Sequence, residues 1–280
     1  MRSPAVVLAA LAALSTAAPA VADPLDAFAP VLVHDGRDRA PFASVAGARA
    51  PVPGLPPRGG PEAYARAVPA PGGRRFIQYW LFSPDNPQDR GILRTGRHAG
   101  DWELVQVGLD RRGRPLEVVA SQHSGAERCG WSDVRRDGTH PHVFVANGSH
   151  AGYFRPGVRD RMWPDPNDEA RGDGLVVRPR VVPVTARSPR WMRWPGRWGA
   201  SRAGAVPGEQ DSPRGPAFQG VRWSDPAAFA ASARACALAC RRVGACDGRE
   251  RAVAAAALAL TALGALAAAA RVRRRRAAGR

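Results

Sequence analysis

Phe76-Ile77-Gln78-Tyr79-Trp80-Leu81-Phe82 is the stretch on which the architecture of this 280-residue chain turns. Aromatic and branched residues dominate it, and at a side-chain period of two both of its faces are apolar. It therefore predicts a strand covered on both sides, within a strand spanning 75–82. Shorter runs of the same kind predict strands at 30–34, 101–109, 116–123, 142–146 and 175–184. Twenty-seven prolines and thirty glycines punctuate the chain and leave little room for long helices. Short strands at this spacing predict a mainly β protein, specifically a β-sandwich. The Pro/Gly-rich segments 46–73 and 186–216 read as long surface loops. One helix is expected over 226–242, with Asp225 as N-cap and Pro226 in its first turn.

The two ends carry targeting signals. Arg2, an apolar run from Ala5 to Leu14 and the closing Ala20-Val21-Ala22 have the layout of a signal peptide over 1–22, with cleavage before Asp23. Residues 252–270 lack any charge and would span about 28 Å as a helix, close to the hydrocarbon thickness of a bilayer. Arginine-rich residues 271–280 follow at once and predict a cytoplasmic tail. The expected organisation is thus a β-sandwich ectodomain at 23–235, a cysteine-containing juxtamembrane segment at 236–251, a transmembrane helix at 252–270 and a basic tail. The protein would be a single-pass cell-membrane protein with its N-terminus outside.

The formal charge is +17, all of the basic residues being arginine, and the excess persists when both ends are set aside. A basic ectodomain favours anionic lipid or wall polymer, while no nucleic-acid-binding motif is present. Outside the cytoplasm Cys129, Cys236, Cys240 and Cys246 are expected to pair as disulfides, in any of three ways. A zinc site is disfavoured because the cysteines form no CxxC pair.

Five of six histidines fall between positions 98 and 150: His98, His123, His140, His142 and His150. Within Gly96-Arg97-His98-Ala99-Gly100-Asp101-Trp102-Glu103, strand geometry puts Asp101 and Glu103 on one face about 6.5–7 Å apart, with Trp102 on the other. Two carboxylates and an imidazole converging at a strand start demand a counter-charge. A divalent cation supplies it economically; arginine, with Arg97 adjacent, is the competitor. Asn147-Gly148-Ser149 fits a glycosylation sequon but reads as a turn, because Asn-Gly is a strong turn dipeptide.

The words YWLFSPDNP, GRHAGDWE, SQHSG, HPHVFVANGSHAGYF, WPGRWG and GPAFQG, after the opening FAPVLVHDGRDRAPFASV, occur in one order over most of residues 26–230. In that order they resemble the vacuolar protein sorting-associated protein 62 family, a resemblance that implies fold more than activity. That family usually has glutamate where this chain has Ala99, so position 99 holds no essential ligand here. The chain is more distantly similar to the necrosis- and ethylene-inducing peptide-like toxins. Their core word also ends His-Asp-Trp-Glu, after a Tyr/Trp-rich strand and a Pro-x-Asp. Those proteins are secreted β-sandwiches that hold a divalent cation and act on membrane sphingolipids. Carried over by position, the resemblance implies Asp85, His98, Asp101 and Glu103 as cation ligands.

Three functions follow. A surface module that binds glycan, lipid headgroup or wall polymer suits the topology and an oxygen-rich site, which favours Ca²⁺ or Mg²⁺ over Zn²⁺. A metal-dependent hydrolase would use His123 or His150 as general base. The third is a structural surface protein without a ligand.

Overall fold

A computed structural model of the protein describes residues 24–88, 96–159, 161, 166–199 and 211–236, with isolated positions 259, 260, 263, 264 and 271. A short helix, α1 (Pro24–Ala27), leads into strand β1 (Val31–His34). Next come β2 (Glu62–Ala70), β3 (Arg74–Asn86), β4 (His98–Leu109), β5 (Pro115–Gln122) and β6 (Gly125–Gly130), each antiparallel to the one before. The chain then forms β7 (Arg136–Asp137), β8 (His140–Val145), β9 (Gly152–Tyr153), β10 (Gly157–Arg159), β11 (Asp168–Ala170), β12 (Val176–Val177) and β13 (Arg180–Pro183). Helices α2 (Val221–Ser224) and α3 (Pro226–Ser232) precede β14 (Arg234–Ala235).

Seven strands form one sheet in the order β13-β2-β3-β4-β5-β6-β14. A second sheet runs β12-β1-β8-β7, with β9 also paired to β8. The expected sandwich follows from where the side chains go. Ile77, Tyr79, Leu81, Val105 and Val107 of the large sheet share one buried cluster with Leu32, Val143 and Val145 of the small one. Phe76, Trp80, Phe82, Trp102 and Leu104 project the opposite way, onto Trp191, Met192, Trp198 and Phe229. The large sheet is therefore covered twice, once by a sheet and once by an irregular layer. That is the physical reason 76–82 is apolar on both faces.

Two expected surface loops prove to be structural. Within 46–73 the chain forms β2, with Tyr64 opposite Trp80 and Ala63 opposite Leu81. Its alanines are weak strand formers in isolation and extend here because β3 offers a paired edge. Within 186–216, Trp191, Met192 and Trp198 are buried and roof the large sheet. The 175–184 strand divides into β12 and β13, which join different sheets. Asp225 caps α3 as expected, accepting from the Ala228 amide at 2.9 Å. The helix ends at Ser232 rather than running to 242, because the next residues extend along β6 as β14 and Cys236 bonds to Cys129.

Cys240 and Cys246 lie outside the described residues, as does the signal-peptide segment 1–22. Of 252–270 only 259, 260, 263 and 264 are described, all helical. Among the described residues no helix is long and apolar enough to cross a membrane.

Candidate functional site

One end of the sandwich gathers the end of β3, the start of β4, the turn after β5 and the turn after β8 around a cleft of about 400 Å³. The register explains the gathering: Ser83 pairs with Asp101 and Asn86 with His98, while Asp101 and Glu103 both point to the face shared by the two sheets. Gly100 makes the entry to β4 possible. Its φ is +67°, and a Cβ there would sit 2.4 Å from the Trp198 carbonyl oxygen. The indole layer can close down on the site only because position 100 has no side chain.

Asp101 and Glu103 are both buried but differ in environment. Asp101 Oδ2 lies 2.9 Å from His150 Nδ1 and accepts from Asn86 Nδ2 at 3.1 Å. Burial opposes its charge, yet the His150 hydrogen bond and the nearby His98, His150 and His123 hold its carboxyl below the usual aspartate range. Glu103 accepts from the Ser121 hydroxyl. Burial first, and the Asp101 charge second, push the Glu103 carboxyl up to about 8, with Arg222 as the main opposing influence. Two buried carboxyls side by side cannot both ionise freely without a cation between them.

His98 Nδ1 lies 2.8 Å from the Gly100 carbonyl oxygen. An imidazole that donates from Nδ1 keeps the Nε2 lone pair for a ligand, and His98 lines the cleft. Asp85, the fourth ligand implied by resemblance, is not among the cleft-lining residues; its carboxylate lies 3.5 Å from Arg97 and 4.0 Å from Arg49. His140 bonds the Ala29 carbonyl at 2.8 Å and, like His142, stands outside the cleft on β8. Among the described residues, the trio of acidic, His or Cys ligand atoms lying within 4.8 Å of one another is Glu127, Cys129 and Cys236. Both sulfurs of that trio are tied in the disulfide and cannot serve as thiolates.

The two candidate general bases part company. His150 is buried behind Asp101, with Nε2 3.8 Å from Asp38 Oδ1. Asp38 also holds His34 at 2.9 Å, so a His34–Asp38–His150–Asp101 string runs inward from the cleft wall. His123, by contrast, lines the cleft, and its Nε2 lies 2.8 Å from Asp168 Oδ2. Burial disfavours the imidazolium, but the Asp168 hydrogen bond and charge outweigh it and raise the His123 pKa. Both His123 and His150 sit at positive φ, 51° and 56°, a sparsely populated region for side chains of this size.

Asp168 is the residue that sequence reasoning missed. It accepts from Ser149 Oγ at 2.7 Å, Tyr153 OH at 2.5 Å and Gln88 Nε2 at 3.1 Å, besides facing His123. Burial would raise its pKa; the His123 hydrogen bond and charge and the Tyr153 hydrogen bond bring it down to about 2. Asn86, Ser121 and Arg222 were missed as well. Asn86 and Arg222 lie in words without a histidine or paired carboxylates, whereas Ser121 stands two residues before His123 in SQHSG.

No family model matches the chain, and no curated protein does, so the sorting-family resemblance has no support from those comparisons. Among solved structures the chain is similar to "Toxin fold for microbial attack and plant defense" at 20% identity, covering 57% of this chain and 75% of that one, with a TM-score of 0.37. It is similar to "NLPPya in complex with mannosamine" at 21% identity, covering 59% and 76%, with a TM-score of 0.38. "Crystal structure of non-toxic HaNLP3 protein" matches at 16%, covering 56% and 71%, with a TM-score of 0.35. These are necrosis- and ethylene-inducing peptide-like proteins. Likeness at this distance assigns neither activity nor ligand.

Proposed function

We propose that the cleft binds the hydroxyl-rich part of a glycan, lipid headgroup or wall polymer, with a divalent cation held by His98, Asp101 and Glu103 on an extracytoplasmic, membrane-anchored module. The observation that carries this is the composition of the walls. Carboxylates, the Asn86 and Gln88 amides, Ser124, and the Arg161 and Arg222 guanidiniums surround one small volume. Neighbouring hydroxyls both donate and accept, and such a mixed wall can satisfy them where an apolar pocket could not. The cation reading rests on the crowding of Asp101 and Glu103; His98, Asp101 and Glu103 do not hold three ligand atoms within 4.8 Å of one another, so these side chains would have to draw together around the ion. Oxygen donors predominate in this set, which suits Ca²⁺ or Mg²⁺. A bound cation would supply charge neutralisation and fix hydroxyl orientation, while His98 and the two carboxylates hold it.

A hydrolytic role is the second reading, favoured by His123 in the cleft wall with the buried Asp168 carboxylate behind it. His150 faces Asp101 and Asp38 and is not placed to act on a ligand in the cleft.

Glu103→Gln tests the cation. Glutamine keeps an acceptor for Ser121 and removes the ionisation that burial opposes. A carboxyl held near 8 when folded and near 4.5 when unfolded destabilises the fold by up to about 3 kcal/mol at pH 7. In chelator the variant should therefore melt above the wild type. With Ca²⁺ or Mg²⁺ present the order should reverse, because only the wild type gains from binding. Calorimetric titration with a hexose, an amino sugar and glycerophosphate then reads ligand class. If neither ion shifts the wild-type melting temperature, the cation assignment fails; heats of dilution alone for all three ligands would remove the binding assignment.

A further inference from the structure

The strand directions give the sandwich two chemically different ends. The cleft lies where β3 ends and β4 begins. The opposite end, about 30 Å away along β4 at strand rise, carries the β2–β3 turn at 71–73 and the β4–β5 turn at 110–114. The two turns touch, since a Cβ at Gly73 would lie 3.4 Å from Arg111 Cβ. Together they present Arg75, Arg111 and Arg112, all exposed, and none of the three pairs with an acid among the described residues. The acids on and beside these turns are already matched: Asp110 with Arg114 at 2.7 Å, and Glu117 of β5 with Arg74 at 2.6 Å.

The chain also leaves the described fold toward this end. Strand β14 runs parallel to β6, which heads away from the cleft, and Cys236 is fixed to Cys129 on β6. The exit point is thus covalently held to the sheet edge rather than set by a two-residue strand alone. Fifteen residues separate Cys236 from the uncharged stretch that begins at Ala252.

We infer that the β2–β3 and β4–β5 turns form a docking face for an anionic phospholipid surface, so that the protein sits with its arginine end on the membrane and its cleft directed away from it. An arginine close to an anionic bilayer contributes about 1 kcal/mol, roughly fivefold in occupancy, and the effect vanishes beyond a Debye length. Three unpaired arginines together give roughly a hundredfold preference for the docked state over a neutral surface. A disulfide that fixes the exit strand starts the fifteen-residue connection at the arginine end, which places those turns nearer the anchor point than the cleft is.

The test uses full-length protein reconstituted in phosphatidylcholine vesicles with or without phosphatidylglycerol, read by hydrogen–deuterium exchange. Slowed exchange at 71–75 and 110–114 is expected with phosphatidylglycerol alone, with no change at 121–124 or 147–150 beside the cleft. The triple substitution Arg75→Gln, Arg111→Gln, Arg112→Gln, confined to exposed side chains, should abolish the slowing while leaving incorporation into both vesicles intact. Equal slowing on neutral vesicles, slowing at the cleft turns, slowing that survives the triple substitution, or none at all would each overturn the inference. The same slowing produced by soluble polyphosphate without vesicles would reassign the face to a soluble polyanion. Failure to enter neutral vesicles would count against 252–270 as an anchor, and loss of cleft ligand binding is read separately by calorimetry.

Discussion

Asp168→Asn should be among the most damaging single-atom changes available in this protein. The side chain gathers His123, Ser149, Tyr153 and Gln88 from three separate segments. Asparagine keeps the volume but removes the charge and turns one acceptor into a donor. A carboxyl held at about 2 against 3.8 contributes about 2 kcal/mol at neutral pH. Leaving His123 without its counter-charge, and one of the four donors facing an NH₂ group, brings the expected loss to about 3 kcal/mol, the lower end for breaking a buried pair. The pH dependence has a definite sign. The Asp168 contribution is present above about 3.8 and is lost as pH falls toward 2. His123 has a raised pKa, so its contribution is full below 6.5 and is lost as pH rises through its native value. Urea denaturation of both proteins at several pH values, with the His123 ring followed by NMR, reads both windows. The gap should be widest between about pH 4 and 6 and shrink on either side, and the His123 pKa should fall in the variant because the Asp168 hydrogen bond and charge, the main influences opposing burial, are gone. A variant as stable as the wild type at pH 5, or a gap that stays constant down to pH 2, would refute the keystone role.

Two further outcomes are expected. Gly100→Ala should cost at least 2 kcal/mol, because it combines positive φ with a backbone collision at Trp198, and it should disturb tryptophan fluorescence; an unchanged melting temperature would mean the indole layer does not press on β4 as described. Replacing Cys129 and Cys236 together with serine should lower stability by about 2–5 kcal/mol, since the bond closes a loop with a sequence separation of 107, and free-thiol labelling of the unreduced wild type should leave both cysteines unlabelled.

Residues 76–82 by themselves determined that this is a β protein with a doubly covered strand, because a period of two applied to an unbroken apolar run leaves no solvent face. Asp101 and Glu103 sharing a face beside His98 was legible for the same reason: the alternation of a strand is a local property. What covers the strand was not legible. The second layer comes from Trp191, Met192 and Trp198, in a Pro/Arg-rich segment without periodicity whose indoles find their place only against Trp102 and Phe82. Nor could sequence order alone give β2, whose alanines extend because β3 is beside them. Partner choice among the charged groups was likewise a tertiary decision. Asp168 and His123 are 45 positions apart, and Asp101 and His150 are 49 apart. Hydrogen bonds across such separations depend on which strand ends meet, so tertiary structure alone placed His150 behind the cleft wall, His123 in the cleft, and Asp85 with Arg97.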